Sequence, residues 1–343
     1  MSNSVTSNIP RPVIIAEVAQ AHDGSIALAH SYIDAVSEVG ADAIKFQIHI
    51  ADEESTEDDL FRKGVKMLDK TRLEYWRRME FTFPQWVELV DHAREKGLVV
   101  FASCFSEAAL NIMTRLNMEW LKIASGEVTN YELLGYVRHL PQRVFLSTGM
   151  SSWSEIDKAI KILLDGSVDL TVMQCTSKYP TRFEDVGLNV IKELKDRYHL
   201  KVGLSDHTGT IYPSLQAVSQ GVDAIEVHVI FDRRILGPDT TSSVTFDELK
   251  VLVEFRNALV TLRNNPVEKD GISKELEASK LLFGRSVSLR RGLKKGTKLS
   301  REDLCLKKPG TGIKAESIFE VEGATLIRDV GANVLLRWED VSG

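Results

Sequence analysis

Short runs of apolar and β-branched residues recur along the chain. They are separated by stretches in which apolar positions fall three and four apart. The runs at 13–18 (VIIAEV), 43–48 (AIKFQI), 99–105 (VVFASCF) and 121–125 (LKIAS) predict strands, as do 144–149 (VFLSTG), 170–175 (LTVMQC), 201–206 (KVGLSD) and 224–230 (AIEVHVI). Each run reads as apolar throughout rather than alternating, the pattern of parallel strands covered on both faces. Between them, SIALAHSYIDAVSEVG has helical spacing and stops at Gly40, and PQWVELVDHAREKG starts at Pro84 and stops at Gly97. Proline near the start and glycine past the end are helix-boundary signals. A further helical stretch, TFDELKVLVEFRNALVTLRN, follows the eighth strand.

Eight strand–helix units in about 250 residues match the count and length of a (β/α)₈ barrel. A doubly wound sheet would normally show a glycine-rich fingerprint after its first strand, and none follows 13–18. The connection from Ile50 to Phe83 is long and charged, as lids and interfaces on barrels often are. The βα rhythm ends at 263–280, a polar, charged stretch that suits a linker. Beyond it come short strands, glycine turns and basic residues. The expected organisation is an α/β chain with a TIM barrel at 1–262, a linker at 263–282 and a small β-rich domain at 283–343. A domain of roughly 60 residues is marginal alone and is expected to lean on the barrel or on a partner subunit.

Composition narrows the class. The 343 residues are 43% hydrophobic and 27% charged, values of a soluble globular protein. The net charge of −6 and the lack of a basic run argue against nucleic acid as a partner. No apolar stretch nears the roughly 18 residues of a membrane helix. The opening MSNSVTSNIPRP lacks the charged and apolar regions of a secretory signal. Cys104, Cys175 and Cys305 are odd in number and far apart, which argues for a reducing cytoplasm rather than a disulfide framework.

Active sites of such barrels lie at the C-terminal ends of the strands. Those ends carry Glu17, Lys45 with Gln47, Ser103, Lys122 with Ser125 and Glu127, and Ser147 with Thr148. They continue with Gln174, Ser177 and Tyr179, then Ser205, Asp206 and His207, then Glu226 and His228. Neighbouring strands are about 4.8 Å apart, so His207 and His228 can share one metal ion in an open site, or each can be a buried, hydrogen-bonded core histidine. Lys45 and Lys122 stand among apolar neighbours, where an unpaired charge is costly. With Ser125, Ser147, Thr148 and the amides near Gly126 and Gly149 they suit a phosphate and a carboxylate. Otherwise each pairs with Glu17, Glu127 or Asp42, and Lys122 could instead form a Schiff base. Cys104 and Cys175 read as small core residues. His22, His49, His92 and Glu107 carry no usable motif, and the tryptophans read as packing.

The motifs IIAEVAQAHDGS, ADAIKFQ, LKIASGEVTN, LSTGMSS, CTSKYPT, GLSDHT, GPD and KKPGTGI, in this order and spacing, resemble the sialic acid synthase family over nearly the whole chain. The resemblance implies a (β/α)₈ barrel followed by an antifreeze-like (SAF) domain, in a domain-swapped homodimer whose small domain covers the partner's barrel mouth. It implies condensation of phosphoenolpyruvate with an open-chain, N-acylated hexosamine or related aldose, with phosphate released by C–O cleavage. His207 and His228 would hold a divalent metal, Mn²⁺ first, with Co²⁺ or Mg²⁺ as alternatives. Lys45, Lys122, Ser125, Ser147, Gly149 and Ser205 would hold phosphoenolpyruvate. Glu17 is the candidate base, and Gln47, Glu127, Ser177, Tyr179, Asp239 and Lys308 would face the sugar. The chain departs from the family pattern at Ala21, Asp23, Gln174, Ser177, Val227 and Lys308, mostly in residues expected to read the sugar. Lysine at 308 lacks the planar fork of the usual arginine. Two other readings are a Schiff-base pyruvate aldolase using Lys122 and a non-catalytic sugar-acid binding protein.

Overall fold

A computed structural model describes residues 11–61, 69–166 and 168–342. The opening segment read against a secretory signal falls mainly outside these residues, as does the middle of the long 50–83 connection. The chain divides into two units, Met1–Asn264 and Asn265–Gly343.

In the first unit eight parallel strands close into a barrel. They are β1 (Val13–Glu17), β2 (Ala43–Ile48), β3 (Val99–Cys104), β4 (Trp120–Ile123), β5 (Arg143–Ser147), β6 (Leu170–Cys175), β7 (Lys201–Asp206) and β8 (Ala224–Ile230). Each pairs with the next, β1 pairs with β8 to close the ring, and a short β9 (Ser243–Thr245) adds to β8. Helices cover the outside, beginning with α1 (Ile26–Glu38). The connection after β2 holds α2 (Ala51–Glu54), α3 (Arg72–Met79) and α4 (Phe83–Glu95). Capping boxes at Thr71/Glu74 and Thr82/Gln85 fix the starts of α3 and α4 by satisfying amides that a helix end leaves unpaired. The long helix Phe246–Asn264 closes the unit. No described helix is long and apolar enough to cross a membrane.

The strand interiors are not uniformly apolar. Outward residues such as Ile14, Ala16, Ile44 and Phe46 join the core beneath the helices. Inward residues Ile15, Ala43, Phe101, Phe145, Met173 and Ala224 form a separate cluster that fills the barrel. Because side chains alternate along a strand, the next inward positions fall two residues further on. They are Glu17, Lys45, Ser103, Ser147, Cys175 and Glu226. A polar layer therefore rests directly on an apolar plug.

The second unit has its own core around Val287, Leu289, Leu304, Ile318 and Leu336. Its two antiparallel pairs are Ser286–Leu289 with Leu304–Lys307 and Thr325–Leu326 with Val341–Ser342. Part of the stretch expected as a linker is helical, at Lys269–Glu275 and Glu277–Phe283.

Candidate active site

The polar layer and the loops above it line a cavity of about 750 Å³. Strand register orders its floor. Glu17 stands beside Lys45 on one side and His228 on the other. Ser205 stands beside Cys175 and Glu226.

Four charged side chains interlock there. Lys45 Nζ lies 2.7 Å from Glu17 Oε2 and 3.9 Å from Glu226 Oε2, and donates to Ser103 Oγ at 2.9 Å. Lys122 Nζ donates to Glu226 Oε2 at 2.7 Å, and Ser205 Oγ to Glu226 Oε1 at 2.9 Å. Gln47 Nε2 donates to Glu17 Oε1 at 2.7 Å. Both lysines are only 2% exposed, so these partners are what allow their charge to be buried. Lys45 thus takes one of the partners foreseen from sequence, Glu17, while Lys122 takes Glu226. Asp42 lies elsewhere, bonded to the Ile14 amide and to Arg256, and Glu127 accepts from Asn130 Nδ2 at 2.8 Å. Burial pushes the Glu17 carboxyl up to about 7, against the pull of Lys45. Burial also opposes the charge on Glu226, but Lys122 and Lys45 outweigh it and hold this carboxyl well below the usual range.

His207 and His228 meet over this floor with ring centroids 5.1 Å apart. The turn presenting His207 is tied by Asp206, which accepts from the Thr208 amide and Ser214 Oγ, each at 2.9 Å. The Tyr179 ring stacks on His207 at 4.3 Å, with its hydroxyl 3.4 Å from Nε2. His207 Nδ1 lies 3.1 Å from the Thr176 carbonyl and 3.7 Å from Cys175 Sγ. Burial opposes a proton on His207, but Cys175 outweighs it and moves the ring up to about 9. Burial drives His228 down to about 3, so its ring keeps a lone pair. His228 Nδ1 is buried without a hydrogen-bond partner among the described residues, and Asp239 Oδ2 is 3.8 Å away.

An orphaned buried nitrogen, a second imidazole and a nearby carboxylate form a donor set that a divalent cation of N/O preference accepts. Among the described residues no three His, Cys, Asp or Glu side chains converge in metal-holding geometry. A cation here would complete its shell from water or substrate, and would displace the proton on His207.

The cavity also takes in Gln47, Lys122, Ser125, Glu127, Ser177, Tyr179 and Asp239. Gly149 packs beside it, its amide donating to Ser125 Oγ at 3.0 Å. A Cβ at Gly149 would fall 2.3 Å from Ser177 Oγ, 2.8 Å from Cys175 Sγ and 2.9 Å from Ser125 Oγ. Gly149→Ala is therefore expected to cost about 1–3 kcal/mol of stability by overpacking, and to raise the KM of an anionic substrate held by Ser125. Thermal melts and steady-state kinetics check this.

Several expectations need correction. Gln174 turns away from the barrel interior and donates to the Val186 carbonyl at 3.0 Å. Ala21 packs on the outer core, Asp23 pairs with Arg78, and Val227 is an outward core residue. These departures from the family pattern do not line the cavity, whereas Ser177 does. Thr148 does not line it either, since its hydroxyl donates to the Met173 carbonyl. Cys175 is a cavity residue rather than inert core, and Trp76 lines the cavity rather than merely packing. Lys308 belongs to the second unit, where its ammonium lies 5.5 Å over the Phe283 ring.

Sequence reasoning passed over Gln20, His49, Glu54 and Phe105, all of which line the cavity. His49 and Phe105 could have been found by continuing the period of two past Gln47 and Ser103. Gln20 and Glu54 carry no such signal.

The NeuB family model matches residues 32–266, and the SAF domain model matches 284–342. The chain belongs to the NeuB family. The N,N'-diacetyllegionaminic acid synthase of Legionella pneumophila is 35% identical over 338 residues, covering 96% of this chain and 94% of that one. The N-acetylneuraminate-9-phosphate synthase of Drosophila melanogaster is 27% identical, covering 93% and 92%. Among solved structures, the N-acetylneuraminic acid synthetase of Leptospira borgpetersenii, in complex with citrate, matches with a TM-score of 0.69 and 30% identity, covering 79% and 93%. NeuB relatives of this chain are thus sialic, legionaminic and pseudaminic acid synthases. Its closed barrel and SAF domain are the architecture that the resemblance implied.

Proposed function

We propose that this NeuB protein condenses phosphoenolpyruvate with the open-chain aldehyde of an N-acylated hexosamine or related aldose, giving a 3-deoxy-2-keto sugar acid and free phosphate. The observation that carries this reading is the pairing of two buried lysines with two converging imidazoles in one cavity. The Lys45 and Lys122 ammonium groups can exchange their carboxylate partners for the phosphate and carboxylate of phosphoenolpyruvate. Ser125, Ser205 and the Gly149 amide add donors, and the buried Ser147 Oγ, which has no hydrogen-bond partner among the described residues, is placed to gain one. His207 and His228, with Asp239 beside them, would hold the divalent ion, Mn²⁺ by resemblance and Co²⁺ or Mg²⁺ as alternatives. When bound, that ion polarises the aldehyde as a Lewis acid.

C3 of the enol then attacks the aldehyde carbon and positive charge develops at C2. Glu17, held by Gln47 and Lys45, takes the proton of the water that adds at C2. Phosphate leaves by cleavage of its C–O bond. Gln47, Glu127, Ser177, Tyr179 and Asp239 orient the sugar, and Lys308 is proposed to join them from the small domain of a second copy in a domain-swapped homodimer. A cytoplasmic location fits the unpaired cysteines.

Chelation is expected to abolish phosphate release, with Mn²⁺ restoring it, and phosphate is expected only when both substrates are present. Activity that survives chelator and is trapped by borohydride with pyruvate would point instead to Lys122 as a Schiff-base lysine. A light-scattering mass of one chain would remove the dimer.

A further inference from the structure

Resting on the reading above, we propose that Glu54 is a specificity-determining residue. Its carboxylate accepts a hydrogen bond from a hydroxyl or amide N–H of the acceptor, and so selects an acceptor that is unphosphorylated where it meets Glu54.

The carboxylate is fixed before any ligand arrives. Its Oε1 lies 2.5 Å from His49 Nδ1, and since a carboxylate only accepts, that nitrogen donates. The His49 ring cannot swing. It is stacked between Trp76 at 4.0 Å and Phe105 at 4.7 Å. Its other nitrogen lies 3.1 Å from the Gln20 amide, which also donates to Gln47 Oε1. Nε2 also lies 3.0 Å from Gln47 Oε1, so Gln20 and Gln47 together hold that side of the ring.

The other carboxylate oxygen of Glu54 is not held in this way. The Glu54 side chain is 8% exposed, it lines the cavity, and Oε2 is buried with no hydrogen-bond partner among the described residues. A buried acceptor left open in this way costs free energy until a donor meets it. Glu127 lies close enough that the charge of Glu54, after burial, helps raise its pKa. Glu54 and Glu127 both line the cavity, and a ligand that meets them must bring donors. Apart from Lys45, Lys122 and the imidazoles, the one cation among the described lining residues is Arg72. Its guanidinium is committed to Asp59 and the Leu60 carbonyl, each at 3.1 Å. A phosphate beside Glu54 would face like charges.

The test is Glu54→Gln. To keep the bond from His49 the amide must present its oxygen there, which turns its N–H₂ toward the place of Oε2 and reverses the polarity the acceptor meets. Phosphate release is followed with phosphoenolpyruvate, Mn²⁺ and a panel of N-acylmannosamines: the parent sugar, its 4-acetamido and 6-deoxy analogues, and its 6-phosphate. For the best acceptor, KM is expected to rise roughly ten- to a hundredfold, the worth of a hydrogen bond to a charged group. KM for phosphoenolpyruvate and the melting temperature are expected to stay near wild type. The wild type should favour an unphosphorylated acceptor, and removing the donor that Glu54 reads should penalise the wild type but not the variant. An unchanged acceptor KM in the variant, or preference of the wild type for the 6-phosphate, would overturn this role and leave the synthase reading in place. No phosphate release with any acceptor would remove the synthase reading, and this proposal with it.

Discussion

Glu17→Gln is expected to lower kcat by about 10²- to 10⁴-fold, the usual contribution of a positioned general base. The amide keeps the shape of the side chain but cannot take a proton, and it keeps its contact with Gln47 only by turning its N–H₂ toward Lys45. In the wild type, Glu17 holds a proton below about 7 because burial disfavours its charge. A base works only when deprotonated, so kcat/KM should rise as pH passes upward through this value and fall away below it. The variant should lose that limb. A pH–rate profile of both proteins, read by phosphate release, checks the assignment. A variant that keeps the limb would place the base elsewhere.

His228→Ala is expected to cost about 10³-fold or more in turnover, because polarisation of the aldehyde by an ion held there would contribute several kcal/mol to the transition state. Stability should change far less. The substitution opens space beside an existing cavity and removes a buried nitrogen that has no hydrogen-bond partner among the described residues. Relief of that desolvation offsets part of the lost packing. A second readout separates metal loss from misfolding. Added Mn²⁺ should raise the melting temperature of the wild type, as any ligand that binds only the native state does, and should leave the variant unmoved. An equal Mn²⁺ shift in both proteins would take the ion away from His228.

Much of the barrel is legible in the sequence because each strand is buried on both faces and bounded by helices with clear start and stop signals. The inner face is harder to see. In AIKFQI the inward residues are Ala43, Lys45 and Gln47, so one strand passes from plug to site within five residues. A reading that averages over the run finds it apolar and misses the switch. The two imidazoles and the buried lysines are visible because His and Lys are conspicuous among Ile and Val. The partner of Lys122 was not visible, since Glu226 is 104 residues away and is brought over only by closure of the ring. The part of the cavity wall built by the long connection is least legible. Glu54 and Trp76 come from the long connection after β2, where no strand period marks which side chains turn inward. The departures at Ala21 and Gln174 misled for the opposite reason, because residues that sit near a motif can face away from it.

Closure of β8 onto β1 has a consequence for how this protein could be divided. The candidate base and a candidate metal ligand, Glu17 and His228, are neighbours only across that seam. Neither half of the barrel could hold a partial version of the chemistry, and a truncated chain should lose activity all at once rather than by degrees. Splitting the polypeptide between strands and asking whether separately expressed pieces recover turnover on mixing would therefore report ring assembly itself.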